Sequence, residues 1–203
     1  MYIPTPTSQK NLRPPIMHKS QMLGREHCNS IIPTPPGTRV ALGIDPGTAI
    51  VGYAVVMAQG SLLSLVACDV ICTPAKMPLP ERLVRIHNEL TTIIATYKPQ
   101  EAAMEELFFA KNARTAMTVG QARGVAMLAL ATNGLSIAEY TPKQVKQAVT
   151  GYGGADKNQV GEMVRILLKL SAIPQPDDAA DAAAIAICHL HTATYAQDLL
   201  PYN

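Results

Sequence analysis

Residues 39–72 hold three apolar, β-branched runs whose connections are too short for anything but tight reversals. The first, RVALGI at 39–44, stops at Asp45-Pro46-Gly47. The second, GYAVVM at 52–57, stops at Gln59-Gly60-Ser61, and the third fills 62–72. Pro and Gly at such breaks punctuate strands. Parallel neighbours need a crossover of about a dozen residues or more, so these strands must form an antiparallel meander. The rhythm then changes. Leu83, Ile86, Leu90, Ile93 and Ile94 recur at helical spacing behind Pro80, which predicts a helix over 80–97. A short strand over 101–105, an Ala-rich helix over 112–132 closed by Asn133-Gly134, and a fifth strand over 135–140 follow. Thr141 caps a short helix that Pro142 opens, 151–154 is a Gly-rich loop, and helices over 156–170 and about 178–195 come last. The expected fold class is α/β, a five-stranded mixed sheet with its first three strands antiparallel, flanked by helices.

The chain ahead of the first strand has a different composition. Residues 1–38 carry seven of the 16 prolines and no sustained period, so they read as a disordered leader. The basic bias there is conceivable in a transit peptide, but the prolines break an amphipathic helix, and translation from Met17 or Met22 is the plain alternative. An apolar signal-peptide core is absent from this stretch. The expected organisation is a leader over 1–38, one domain over 39–197 and a short tail over 198–203. Hydrophobic residues make up 48% of the chain and charged residues 16%, enough for a sizeable core. No apolar run reaches the length of a membrane span, and four cysteines in 203 residues fit a reducing, cytoplasmic location better than a disulfide scaffold. Cys68 and Cys72 lack a second pair, so they read as small buried apolar residues rather than a zinc site.

Acidic residues gather at element ends. Asp45 follows the first strand, Glu105 ends the fourth, and Asp177, Asp178 and Asp181 open the last helix. Open α/β sheets place their sites at the carboxyl ends of strands. Asp178 and Asp181, three apart at a helix start, can face the same way. Each has an ordinary reading too: Asp45 as a turn residue, Glu105 as a solvated strand end, Asp178 as a cap, Asp181 as a partner of the helix dipole. Should the carboxylates converge, they need positive charge to coexist. Oxygen-rich sites suit Mg²⁺ or Mn²⁺. Two such ions ~4 Å apart would clamp a phosphodiester, one activating water and the other stabilising the leaving oxygen.

Basic residues cluster as well. Between 111 and 169 stand Lys111, Arg114, Arg123, Lys143, Lys146, Lys157, Arg165 and Lys169, against only Glu139, Asp156 and Glu162. Such a half beside an acidic pocket suits a polyanion held over metal ions, although ordinary solvated helix faces would look the same. The only two phenylalanines, Phe108 and Phe109, follow Glu105 closely, and one of them could stack on an unpaired base. His189 and His191, two apart on a helix, diverge and read as surface or partly buried residues, not a metal pair.

Four segments resemble the Holliday junction resolvase RuvC family of bacteria. They are LGIDPGTAIVGYAVV (42–56), MEELFFAKNARTAMTVGQARGVAM (104–127), EYTPKQVKQAVTGYGGADKNQV (139–160) and DDAADAAAIAICHLH (177–191), in the family's order and spacing over roughly residues 40–195. The resemblance implies a ribonuclease H-like fold, a homodimer and a structure-selective endodeoxyribonuclease that resolves four-way junctions by paired symmetric nicks in recombination and repair. It implies Asp45, Glu105, Asp178 and Asp181 as catalytic metal ligands for two Mg²⁺, with Mn²⁺ as a substitute. It implies junction-DNA contacts from Phe108, Lys146 and Lys157, with Lys111 and Arg114 of the basic cluster beside them. The subunit contact falls on the helix over 112–132, and the branch-migration helicase complex is the expected further partner. Three features depart from the family pattern: the leader, the extra Asp177, and Glu106 where an amide is common. The register Asp178-Ala-Ala-Asp181 favours Asp178 over its neighbour.

Other readings fit less well. Asp45-Pro46-Gly47-Thr48 also resembles the opening of actin-like ATPases and sugar kinases, but no second such motif follows. A related RNA-processing nuclease would lack the GQARG and QVKQ segments. A non-catalytic junction-binding module would be expected to have lost one of the four acids.

Overall fold

In the computed structural model, residues 37–106 and 113–198 are described. Strand β1 (Thr38–Asp45) pairs antiparallel with β2 (Ile50–Gln59), and β2 with β3 (Leu62–Cys72), as the short connections require. Helix α1 (Leu79–Tyr97) carries the chain over to β4 (Glu101–Glu105), which lies parallel to β1 on its other side. Helix α2 (Ala113–Thr132) leads to β5 (Ser136–Tyr140), parallel to β4, so the sheet order is β3-β2-β1-β4-β5. Then come α3 (Pro142–Thr150), α4 (Lys157–Leu167) and α5 (Asp177–Asp198). The five-stranded mixed sheet expected from the sequence is observed.

Strand side chains alternate between two faces, and each face has its own core. Leu42, Ile44, Val55, Ala102 and Met104 pack with Ile86, Leu90, Ala126 and Leu130 of α1 and α2. Ala41, Ala54, Val56 and Ala103 pack with Ala182, Ala183, Ala186, Ile187 and Leu190 of α5, and α3 and α4 join them through Val145, Val149, Val160 and Val164. Asp45, Glu101 and Glu105 follow the register of Ala41 and Ala103, so strand alternation puts them on the α5 face.

Helix ends follow local sequence. Thr141 accepts from the Gln144 amide while the Gln144 side chain returns to the Thr141 amide, and Asp156 and Gln159 do the same for α4. Gly151, with φ of 77°, closes α3 in the left-handed region. The helix predicted to reach residue 170 stops at Leu167, because Lys169 turns left-handed with φ of 54°. The first strand starts at Thr38, one residue inside the proposed leader. Residues 1–36 and 199–203, and with them nearly all of the leader and tail assignments, lie outside the described residues.

The contact that sets the height of α5 above the sheet is backbone against backbone. A Cβ on Gly52 would lie 1.9 Å from the Asp178 carbonyl oxygen, and one on Gly43 would lie 2.1 Å from that of Ala182. Both carbonyls belong to the first turns of α5, so any side chain at either glycine would push the acidic start of the helix off the strand ends. At the other end of β4 a partly buried polar chain fixes the same helix. Arg39 donates two 2.8 Å hydrogen bonds to the Glu101 carboxylate. His189 Nε2 lies 3.0 Å from Glu101, and its Nδ1 lies 2.8 Å from the Tyr140 hydroxyl. Burial works against the Glu101 charge, but these hydrogen bonds and charges win and hold its carboxyl down at about 2. His189 is therefore buried, where the sequence suggested surface or partial burial, because this stretch of α5 is sunk in the core.

Gly52→Ala should cost more than ordinary overpacking, about 3 kcal/mol or more, since the added methyl meets backbone rather than a movable side chain. Thermal unfolding should show the midpoint falling by roughly 6–12 °C. A midpoint within about 2 °C of the parent would mean that α5 does not rest on this glycine.

Candidate active site

The strand ends and the start of α5 enclose a cleft of about 260 Å³. Asp45 from β1, Glu105 from β4 and Asp181 from α5 line it. Lys146 of α3 and Lys157 of α4 reach in from the opposite wall, over a floor of Val145, Val160 and Ile185. The capped starts of α3 and α4 set where these two lysines sit. Asp178 does not line the cleft, but it is near enough for its charge to act on both Asp45 and Asp181.

Electrostatics in the cleft are dominated by acids in low dielectric. Burial, then the charges of Asp181, Glu105 and Asp178, push the Asp45 carboxyl up to about 7, with Lys157 opposing. Burial and Asp181 raise Glu105, and Lys146 pulls it back. Burial also raises Asp181, against the pull of Lys157. Slight burial disfavours the Lys157 charge, but bonds to Asp177 and Asp181 outweigh it and raise its pKa. Its Nζ lies 3.1 Å from Asp177 and 3.2 Å from Asp181. Asp177 thus faces the lysine and a small groove beside the cleft, not the cleft itself.

No three acidic, His or Cys side chains among the described residues stand together closely enough to hold a metal ion as placed. The donor set nevertheless fits a hard divalent cation. It is all carboxylate oxygen, and its mutual repulsion is what a bound cation would relieve. Cys68 takes no part: its thiol donates to the Ala179 carbonyl at 3.2 Å, and burial raises its pKa to about 12.

The cleft brings together three of the four proposed ligands and both proposed lysines. Phe108 and Lys111 lie outside the described residues, as does the side chain of Arg114. Arg123, read from sequence as one member of a basic cluster, is instead buried. It donates to the Glu105 carbonyl and to the Glu139 carboxylate. Its place on the inward stripe of α2, with Ala122 and Ala126, was the available signal.

The raised Asp45 carboxyl fixes a pH dependence. The unfolded chain releases this proton near 3.8 and the folded chain near 7, so the folded state loses stability as pH rises between them. Without metal, Asp45→Asn should melt higher than the parent at pH 8, by about 2–4 °C for each kcal/mol of relieved repulsion, and the gain should vanish near pH 4. Equal melting points at both pH values would contradict the crowding of acids around Asp45.

A family model described as crossover junction endodeoxyribonuclease RuvC matches residues 41–189. The crossover junction endodeoxyribonuclease RuvC of Chloroflexus aggregans is 61% identical over 153 residues, covering 75% of this chain and 93% of the relative. A solved structure of Thermus thermophilus RuvC aligns with a TM-score of 0.73 and 37% identity, covering 77% of this chain and 96% of that one. The T. thermophilus RuvC complex with a Holliday junction substrate aligns with a TM-score of 0.72 and 35% identity, with the same coverage. With its strand order, its acidic cleft and these similarities together, the chain belongs to the crossover junction endodeoxyribonuclease RuvC family.

Proposed function

We propose that this protein resolves four-way DNA junctions by paired, symmetric, metal-dependent nicks. The observation that carries the reading is the meeting of Asp45, Glu105 and Asp181 with Lys146 and Lys157 in one cleft at the carboxyl edge of the sheet. Asp45, Glu105, Asp178 and Asp181 would hold two Mg²⁺, with Mn²⁺ as a substitute. The bound ions would supply an activated water and charge stabilisation at the departing 3′ oxygen. The lysines neutralise the phosphate that the acids would otherwise repel. Lys157 has to leave Asp181 for that phosphate, and Asp177 keeps it near the cleft meanwhile. Phe108 stacks on an unpaired base of the junction, with Lys111 and Arg114 on the flanking backbone.

A junction with two-fold symmetry calls for two like sites, hence a homodimer. Helix α2 supports this. Its outward stripe is Met117, Gln121, Gly124 and Leu128, with Met117 70% and Leu128 55% exposed, and a Cβ on Gly124 would meet nothing. Unpartnered apolar residues on a helix with a glycine between them suit close approach of a second copy. Among the described residues no helix is long and apolar enough to cross a membrane. The free thiols of Cys68, Cys72 and Cys188 suit the cytoplasm, where the branch-migration helicase would be met.

Incubation with a synthetic four-way junction tests the reading. Mg²⁺ should yield two symmetric nicks with 5′-phosphate and 3′-hydroxyl ends. Asp45→Asn, Glu105→Gln and Asp181→Asn should each lower cleavage by about 10³-fold or more while leaving junction affinity within a few-fold, since each removes charge stabilisation of the transition state. Asp177→Asn should stay within about tenfold of the parent, the loss of one exposed ion pair. Wild-type rates in any of the first three would refute their assignment. Sedimentation of free protein and complex as monomer alone would remove the dimer.

A further inference from the structure

The Glu105 side chain faces the cleft, but its backbone is held from the opposite side of the sheet. Arg123 reaches across from α2 and donates one guanidinium hydrogen bond to the Glu105 carbonyl. A second goes to the Glu139 carboxylate on the neighbouring strand β5. The arginine is 7% exposed, so the guanidinium is a desolvated charge whose two partners fix its plane. Glu105 is the last residue of β4. Among the described residues the ladder continues past it through the Glu106 amide, which donates to the Tyr140 carbonyl at 2.8 Å. A carboxylate at a strand end moves with its backbone, and the Arg123 bond to the Glu105 carbonyl restrains that backbone. The arginine is thus set behind the carboxylate rather than in front of it, where it neither meets the cleft nor competes with a cation.

We infer that Arg123 is a positioning residue that holds Glu105 at the strand end in the orientation needed for divalent cation binding, with Glu139 orienting the guanidinium in turn. The inference rests on the proposed role of Glu105 as a ligand. It adds a support that the sequence presents only as one more surface charge. Groups that orient a metal ligand from behind typically change metal affinity about 10- to 100-fold when removed. Arg123→Gln loses the charge and the fork geometry. Arg123→Lys keeps the charge but loses the planar fork that meets both partners in one fixed geometry. Glu139→Gln leaves the bond to the Glu105 carbonyl in place.

The test is Mn²⁺ binding to the metal-free protein, followed by electron paramagnetic resonance without DNA, alongside Mg²⁺ dependence of cleavage. Arg123→Gln should weaken Mn²⁺ binding and raise the half-saturating Mg²⁺ concentration by about tenfold or more. Arg123→Lys should recover part of that loss, and Glu139→Gln should show a smaller loss, roughly two- to five-fold. Junction affinity without metal should not change, which a general loss of fold would not allow. Wild-type Mn²⁺ affinity in Arg123→Lys and Glu139→Gln would overturn the inference even if Arg123→Gln fails to fold. Glu105→Gln in the same assay separates the two levels. If it too binds Mn²⁺ normally, the ligand assignment has failed and the role of Arg123 fails with it. If only Glu105→Gln is impaired, Glu105 is a ligand but Arg123 does not position it.

Discussion

Helix α5 can approach the sheet as closely as it does only because Gly43 and Gly52 present no side chain to it. An α-helix packed on ordinary side chains would stand several ångströms higher, and the acids at its start would miss those at the strand ends. The small residues on the helix side, Ala179, Ala182, Ala183 and Ala186, complete the fit. Dispersion over this close seam and the partly buried Arg39–Glu101–His189–Tyr140 chain farther along the helix act together. One sets the height of the helix and the other its position along the sheet.

Stability and function pull in opposite directions at the other end. Burial and mutual repulsion hold the Asp45 carboxyl near 7, well above an ordinary aspartate. That repulsion is a cost carried by the rest of the fold. Lys157, shared between Asp177 and Asp181, offsets part of it in the absence of a cation. Both ends of that contact are substantially exposed, so it is easily broken. A lysine held this loosely by carboxylates is well suited to exchange one for a phosphate.

Much of this was legible from the chain alone, where local signals decide. The antiparallel meander followed from connection length, and the cap at Thr141 followed from residue type and the proline behind it. The acids stand out because they end strands and open a helix, and the RuvC-like segments tie them together. The rest depends on partners distant in sequence. Gly43 and Gly52 look like unremarkable strand glycines until α5, well over a hundred residues later, is laid against them. Arg123 counts as one more positive charge until its inward stripe on α2 is recognised. His189 reads from its spacing to His191 as surface or partly buried, but Tyr140 and Glu101 satisfy both of its nitrogens where α5 is buried. Asp178 kept the expected register yet lies outside the cleft lining, which spacing alone does not decide.

The central claim is that the packing of α5 on β1 and β2 assembles a divalent cation site from Asp45, Glu105 and the acids of α5. Anomalous diffraction from a crystal of the protein soaked in Mn²⁺ examines it most directly. The account predicts anomalous density between Asp45, Glu105 and Asp181, with Lys157 displaced from Asp181. Density confined to other positions, with Lys157 still on Asp181, would contradict it.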